Sequence, residues 1–250
     1  MTAKRAAWTA AALALVLGVA LAALAALRGE ARARPALLVF TTLPIYWNEA
    51  AEVSQMLRPG EPPWVRRELE QRHRLVPVDA LDAAALSEAR TMVMAQPRPL
   101  APAENVVLDD WVAAGGRLLL FADPMLTADS QFPVGDRRRP QAVVLLSPIL
   151  ARWGLRLEFD ETQPSGMRIV GLGDAAGLPV ELAGRFAAVP GGRGDARCAI
   201  AGDGVIARCR VGRGGVTAIA DAALLDAATD RRDRANRAGV LARLESLAFS

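Results

Sequence analysis

Polar residues stand where the short apolar runs of this chain stop. Ala36–Thr42 closes on Thr41 and Thr42. Leu75–Val78 runs into Asp79, Thr91–Ala95 into Gln96, Arg117–Ala122 into Asp123, and Gly215–Ala220 into Asp221. If these runs are parallel strands, their carboxyl ends share one sheet edge, outside which ligands of open α/β sheets bind. Thr41, Gln96, Asp123 and Asp221 are therefore the candidate ligand crevice. Two carboxylates in one crevice could do acid–base work if burial separates their pKa values. The competing reading is that Asp and Thr cap the turn after each strand.

Other chemistries lack their residues. A P-loop needs a lysine after its glycines, and the only lysine is Lys4. Arg117–Asp123 has the look of a Walker B strand, but without a P-loop it reads as an ordinary buried strand. One histidine, His73, and two cysteines, Cys198 and Cys209, assemble no zinc motif. His73 lies between Arg72 and Arg74 at a strand edge, which suggests a solvated position. There is no G-x-S-x-G elbow and no G-x-G-x-x-G after a strand. No catalytic residue, metal ligand or cofactor site is read from the chain. The net charge of +3 mixes arginines with acids, so no nucleic-acid footprint is expected. Arg137–Arg139 reads as a solvated loop, with an anionic partner or lipid headgroups as the alternative.

The elements that must position the strand ends follow from periodicity. Val107, Leu108, Trp111 and Val112 recur at helical spacing after Pro102, which suits a first turn. Gly115-Gly116 supplies a left-handed stop. Thr91–Ala122 is thus a βαβ unit, whose strands pair in parallel through a right-handed crossover. Trp64–His73 and Leu81–Ala89 are further helices, and Pro77 puts the Leu75–Val78 strand at an edge. Ser147 is read as the cap of a helix through Trp153, followed by a strand Leu155–Phe159. Short β segments follow at Met167–Leu172 and Pro179–Val189, then a hairpin about Gly202-Asp203-Gly204. A helix over Asn236–Ala248 ends the chain. With Asp203-Gly204 as a type I′ turn, Ile200 faces Ala207 and Cys198 faces Cys209, ~5.5 Å apart at a hydrogen-bonded pair. That is within disulfide range, and outside the cytoplasm the pair should oxidise. The alternative is two small buried hydrophobes.

Ala6–Leu27 carries no charge over 22 residues, enough to cross a bilayer of ~30 Å as a helix. Arginines and Lys4 flank it on both sides, so charge alone leaves its orientation open. Ala31-Arg32-Ala33 offers a cleavage-site alternative, but the run is long for a signal-peptide core. The segment is read as an uncleaved anchor. The chain then divides into an anchor and linker, 1–34, and an α/β domain, 35–250, with a β-rich insertion at about 160–212.

A family resemblance rests on particular residues. Gln96-Pro97-Arg98-Pro99-Leu100-Ala101-Pro102, Leu108-Asp109-Asp110-Trp111-Val112, Gly115-Gly116-Arg117 and Asp123-Pro124 resemble the auxiliary domain of ABC-type uncharacterised transport systems, the GldG-like group. Gly212-Arg213-Gly214, the strand to Asp221, Asn236 and Leu241–Leu247 are similar to the ending of class I glutamine amidotransferase-like domains. The resemblance implies an α/β, flavodoxin-like (glutamine amidotransferase-like) fold. It would have a mostly parallel sheet, an inserted or appended small β region and one preceding transmembrane helix. It implies a body on the periplasmic side of the inner membrane, beside a separately encoded permease and ATPase. Amidotransferase chemistry is not implied. Those enzymes place a cysteine nucleophile after a central strand and a histidine later, whereas both cysteines here fall in the hairpin and His73 comes early. The expectation is a non-enzymatic, single-pass accessory protein of an ABC-type transporter. One alternative is a periplasmic enzyme or glycan-binding module using the crevice. Another is a scaffold recruiting partners through Tyr46-Trp47 and the basic loop.

Overall fold

Runs such as Leu118-Leu119-Leu120-Phe121 are apolar on both faces, which suits a strand covered on both sides. The computed structural model describes residues 34–47, 49, 61–173 and 177–250. Residues 36–250 form one compact unit. The apolar segment Ala6–Leu27 lies outside the described residues, as does the first half of the Pro/Gly-rich stretch 58–63. Among the described residues no helix is long and apolar enough to cross a membrane.

Seven strands form the main sheet, in the order β2-β1-β3-β4-β11-β10-β9. These are β1 (Ala36–Thr41), β2 (Arg74–Pro77), β3 (Thr91–Ala95), β4 (Arg117–Phe121), β9 (Ala196–Ala201), β10 (Ile206–Val211) and β11 (Gly214–Ile219). From β2 to β11 all pairings are parallel. This is the flavodoxin-like order 2-1-3-4-5, with β11 as the fifth strand. β10 and β9 extend it antiparallel. β2 is the outer strand at the other end, where Pro77 costs no ladder bond.

Helices cover both faces of the parallel part. Alternate residues Leu37, Val39, Val93, Leu119, Phe121 and Ile219 point to one face, under α1 (Trp64–Arg72) and the C-terminal helix α5 (Arg231–Phe249). Leu38, Phe40, Met92, Met94, Leu118 and Leu120 point to the other. There they meet α2 (Ala83–Ser87), α3 (Pro102–Ala113) and α4 (Ser147–Arg152). Full burial of each such side chain stabilises by about 1.5–3 kcal/mol before chain entropy is counted. Gly115 takes φ 115° to end α3. Gly116 lies so close to the Trp111 ring that an added Cβ would sit 2.4 Å from it.

Several details differ from expectation. Ser147 is the first helical residue of α4 and caps nothing; Leu146 precedes it. The segment 179–189 is two strands, β7 (Gly177–Glu181) and β8 (Arg185–Ala188), because the chain turns at Leu182 with φ 49°. α5 begins at Arg231 rather than Asn236, with the Asp230 carboxylate accepting from Arg232 N and Asp233 N. Its first turn, Arg231-Arg232-Asp233-Arg234, is all polar, so apolar periodicity could not mark it. The β-rich stretch divides. β5 (Leu155–Glu158) pairs with β8, and β6 (Met167–Gly171) with β7, as two small antiparallel sheets. The hairpin β9–β10 joins the main sheet instead.

In that hairpin Ile200 faces Ala207 and Cys198 faces Cys209, and the two sulfurs are bonded. Asp203 and Gly204 both have positive φ, and Val205 N donates to Gly202 O at 3.0 Å, as in a type I′ turn. The cysteine Cα atoms are 4.0 Å apart, shorter than the ~5.5 Å expected of a hydrogen-bonded pair. His73 is not solvated. Its Nε2 lies 2.9 Å from Glu245 Oε2, and its ring stands edge-on to Phe249. Glu245 also accepts from Arg72, so these neighbours fasten α5 to the start of β2.

Candidate functional site

The strand ends meet at one edge of the sheet, as parallel pairing requires. Thr41, Gln96, Asp123 and Asp221 lie there at the ends of β1, β3, β4 and β11. Gln96, Asp123 and Asp221 are buried there and Thr41 is half-buried. Thr41 Oγ1 accepts from Leu43 N at 2.9 Å, turning the chain out of β1. Thr42 donates its hydroxyl to Gln96 O at 2.5 Å and accepts from Gln141 N at 3.0 Å.

Gln96 is the centre of the arrangement. It is fully buried and left-handed at φ 42°, a conformation costly for a residue with a Cβ. Its Nε2 donates to Asp123 O at 3.0 Å and Gln141 O at 2.7 Å, while its Oε1 accepts from Asp123 N at 2.9 Å. One amide therefore closes the junction between β3, β4 and the covering loop 124–146. A sharp, strained strand-end elbow is where α/β hydrolases display a nucleophile; here the elbow holds an amide whose hydrogen-bonding groups are committed to backbone.

The two aspartates behave likewise. Asp123 Oδ1 accepts from Met125 N at 2.8 Å and its Oδ2 from Ala222 N at 3.1 Å. Asp221 Oδ1 accepts from Ala223 N at 2.7 Å and its Oδ2 from Glu181 N at 2.8 Å. Each carboxylate caps its own turn and ties a second segment. Both are about 1% exposed. Burial pushes the Asp123 carboxyl up to about 6. Burial, then the Asp123 charge, pushes Asp221 to about 8. Asp226 stands half-buried nearby: desolvation outweighs the attraction of Arg237 and takes it to about 7. Glu181 and Asp226 were missed from sequence. Glu181 ends β7, a strand whose place beside Asp221 no local pattern announces. Among the described residues no group of three or more His, Cys, Asp or Glu is arranged to hold a metal ion.

The remaining candidates are dispersed. Tyr46 packs beneath Arg66, and Trp47 stays 45% exposed. In the basic loop Arg138 pairs with Asp136 and stacks on Phe132, and Arg139 donates to Phe132 O. A cavity of about 450 Å³ lies elsewhere, between α2 and α3, lined by Leu86, Arg90, Val107, Asp110 and Trp111.

The body is thus a doubly wound, mostly parallel α/β domain whose strand ends are capped by Thr41, Gln96, Asp123 and Asp221. Residues 41–169, just over half of the chain, match the family described as ABC-type uncharacterized transport system. The chain belongs to that family. No curated protein matches it in sequence. Its fold is similar to part of an exo-β-1,4-mannosidase from Opitutaceae bacterium strain TAV5, at TM-score 0.51 and 17% identity, over 86% of this chain and 36% of that one. A cytoplasmic protein from Salmonella typhimurium aligns at TM-score 0.46 and 11% identity, over 85% and 98%. A putative ThuA-like protein from Bacteroides uniformis aligns at TM-score 0.44 and 11% identity, over 84% and 90%. The chain spans about a third of the length of the glycosidases it matches.

Proposed function

We propose that this chain is a non-enzymatic accessory protein of an ABC-type transporter, anchored by Ala6–Leu27, with its α/β body on the outer side of the plasma membrane. The observation that carries the non-enzymatic reading is Gln96. The strand-end position best placed to present a reactive group holds a neutral amide bonded to three backbone groups. The flanking carboxylates are equally committed, so the body acts by binding a partner rather than by turning over a substrate. The Cys198–Cys209 bond supports the outward location, because such bonds persist in oxidising compartments.

The test is a mild-detergent pull-down of the full chain from membranes, with mass spectrometry of the eluate. A permease and an ATPase should co-purify, with the cysteines still linked. A lone chain, or reduced thiols in freshly opened cells, overturns the reading. The crevice alternative has its own check: if Asp123→Asn and Asp221→Asn leave the chain folded and bound to its partners yet abolish transport, the carboxylates do chemistry.

A further inference from the structure

The edge of the sheet opposite the strand ends is built from arginine. Arg117 opens β4 and is level with Gly215 of β11; Gly215 is level with Arg210 of β10, and Arg210 with Arg197 of β9. These positions form one row on one face of the sheet. Arg208 stands on the same face one pair further along, opposite Ala199 and Thr217. Gly215 contributes no side chain, and the Arg117 guanidinium reaches over it, 3.1 Å from where its Cβ would stand.

This face carries charge without compensation. Arg197, Arg208 and Arg210 are exposed and Arg117 half-buried. Among the described residues no carboxylate pairs with any of the four. Arg197 donates only to the nearby carbonyls of Gly194 and Ala196. The neighbouring Asp195 is taken by Arg193. Like charges directly opposite on adjacent strands destabilise a sheet, and Arg197 stands directly opposite Arg210. A solvated outer face is ordinarily a mixture of signs. Arg90 and Arg213, at the same edge, have a structural account: both donate to Ala114 O at the negative end of α3. The row has none.

The row also lies where the chain enters the fold. Thr91, level with Arg117, donates its hydroxyl to Ala36 O at the start of β1. Arg28, Arg32 and Arg34 precede this entry point in sequence.

We propose that the arginine row Arg117–Arg210–Arg197, with Arg208, is a docking surface for the anionic phospholipid headgroups of the membrane in which the chain is held. This rests on the anchored reading above for its geometry. Charge complementarity selects phosphate-bearing lipids. Guanidinium groups suit the contact because they bind phosphate oxygens in pairs.

The experiment places the full chain in vesicles of phosphatidylcholine alone or with phosphatidylglycerol at a 7:3 ratio. An arginine-specific dicarbonyl reagent labels accessible guanidinium groups, and peptide mass spectrometry reads each site. Arg197, Arg208 and Arg210 should label about fivefold more slowly in the anionic vesicles, the factor that corresponds to about 1 kcal/mol of attraction per arginine near an anionic surface. Arg231 and Arg234, at the start of α5, should label equally in both. In an Arg208→Ser/Arg210→Ser variant with the disulfide intact, Arg197 should lose its lipid dependence. Equal labelling in both membranes, with the chain resisting carbonate extraction, overturns the headgroup surface and leaves the anchor standing. Carbonate extraction of the chain overturns the anchor instead. Flotation of the extracted chain with anionic but not neutral vesicles would then still support the surface, and failure to float would overturn it. Protection that appears only with transporter subunits present overturns it in favour of a protein partner.

Discussion

Gln96 is held in a conformation that costs it energy, and its side chain recovers that cost. Three hydrogen bonds to backbone, made by one buried amide, offset a φ of 42°. Gln96→Ala keeps the strain and leaves Asp123 N without the Gln96 acceptor at a buried position. The loss should be about 2–4 kcal/mol, read as a lower denaturation midpoint with an unchanged slope. Gln96→Gly removes the strain along with the bonds and should cost less than the alanine variant. A glycine variant as damaging as alanine would mean that the backbone there is not strained. The sequence marked this position, because a polar residue ends an apolar run. It could not show which way the amide would be used, since Asp123 N and Gln141 O come from segments 27 and 45 residues away. Thr41, Asp123 and Asp221 share that history: their places at strand ends were legible, but the backbone groups they satisfy were not.

At the scale of elements, the hairpin β9–β10 tests whether a covalent staple or the ladder holds the outer sheet. β10 is paired on both sides, to β9 and β11, so the ladder supports it without the sulfurs. The Cys198–Cys209 link closes a sequence separation of 11, for which chain entropy predicts about 2–3 kcal/mol. Reduction, or Cys198→Ser with Cys209→Ser, should lower thermal stability by that amount. Amide exchange should rise in β9 before β10. Exchange rising equally in β4 would show that the staple supports the whole sheet. The register of this hairpin followed from its turn residues, as the βαβ unit followed from Pro102, the Leu108 periodicity and Gly115. That the hairpin would extend the parallel sheet had no local signal. Edge pairing is chosen by the strand already there, and β11 enters only after residue 213.

For the molecule as a whole, stability should depend on pH through the buried and half-buried carboxyls at and just beyond the strand ends. Asp123, Asp226 and Asp221 have folded values of about 6, 7 and 8, above the ordinary ~3.9 of an unfolded chain. The folded state therefore binds more protons than the unfolded state between those limits. Their contribution is fully present below about pH 4 and is lost as pH rises through 6 to 8. Glu104, Asp109 and Glu245 are shifted downward by Arg98, by Arg193 with Arg152, and by His73 with Arg72. Their contribution is lost only at more acid pH. The melting temperature should thus peak near pH 5 and fall by roughly 5 °C by pH 8. Asp221→Asn should flatten that decline, and a wild-type melting temperature that rises from pH 5 to pH 8 would contradict it.

The family match ends at residue 169, before β11 is made. Yet β11 lies between β4 and β10, and α5 covers the face over Leu119 and Phe121. A fragment cut at that boundary would leave β4 as a bare edge, its donors and acceptors unpaired and its apolar residues uncovered. Such an edge recruits strands from other molecules. During synthesis the same exposure lasts until the final eighty or so residues emerge. The order of the chain therefore leaves the first two-thirds of this protein with an aggregation-prone open edge until its last third arrives.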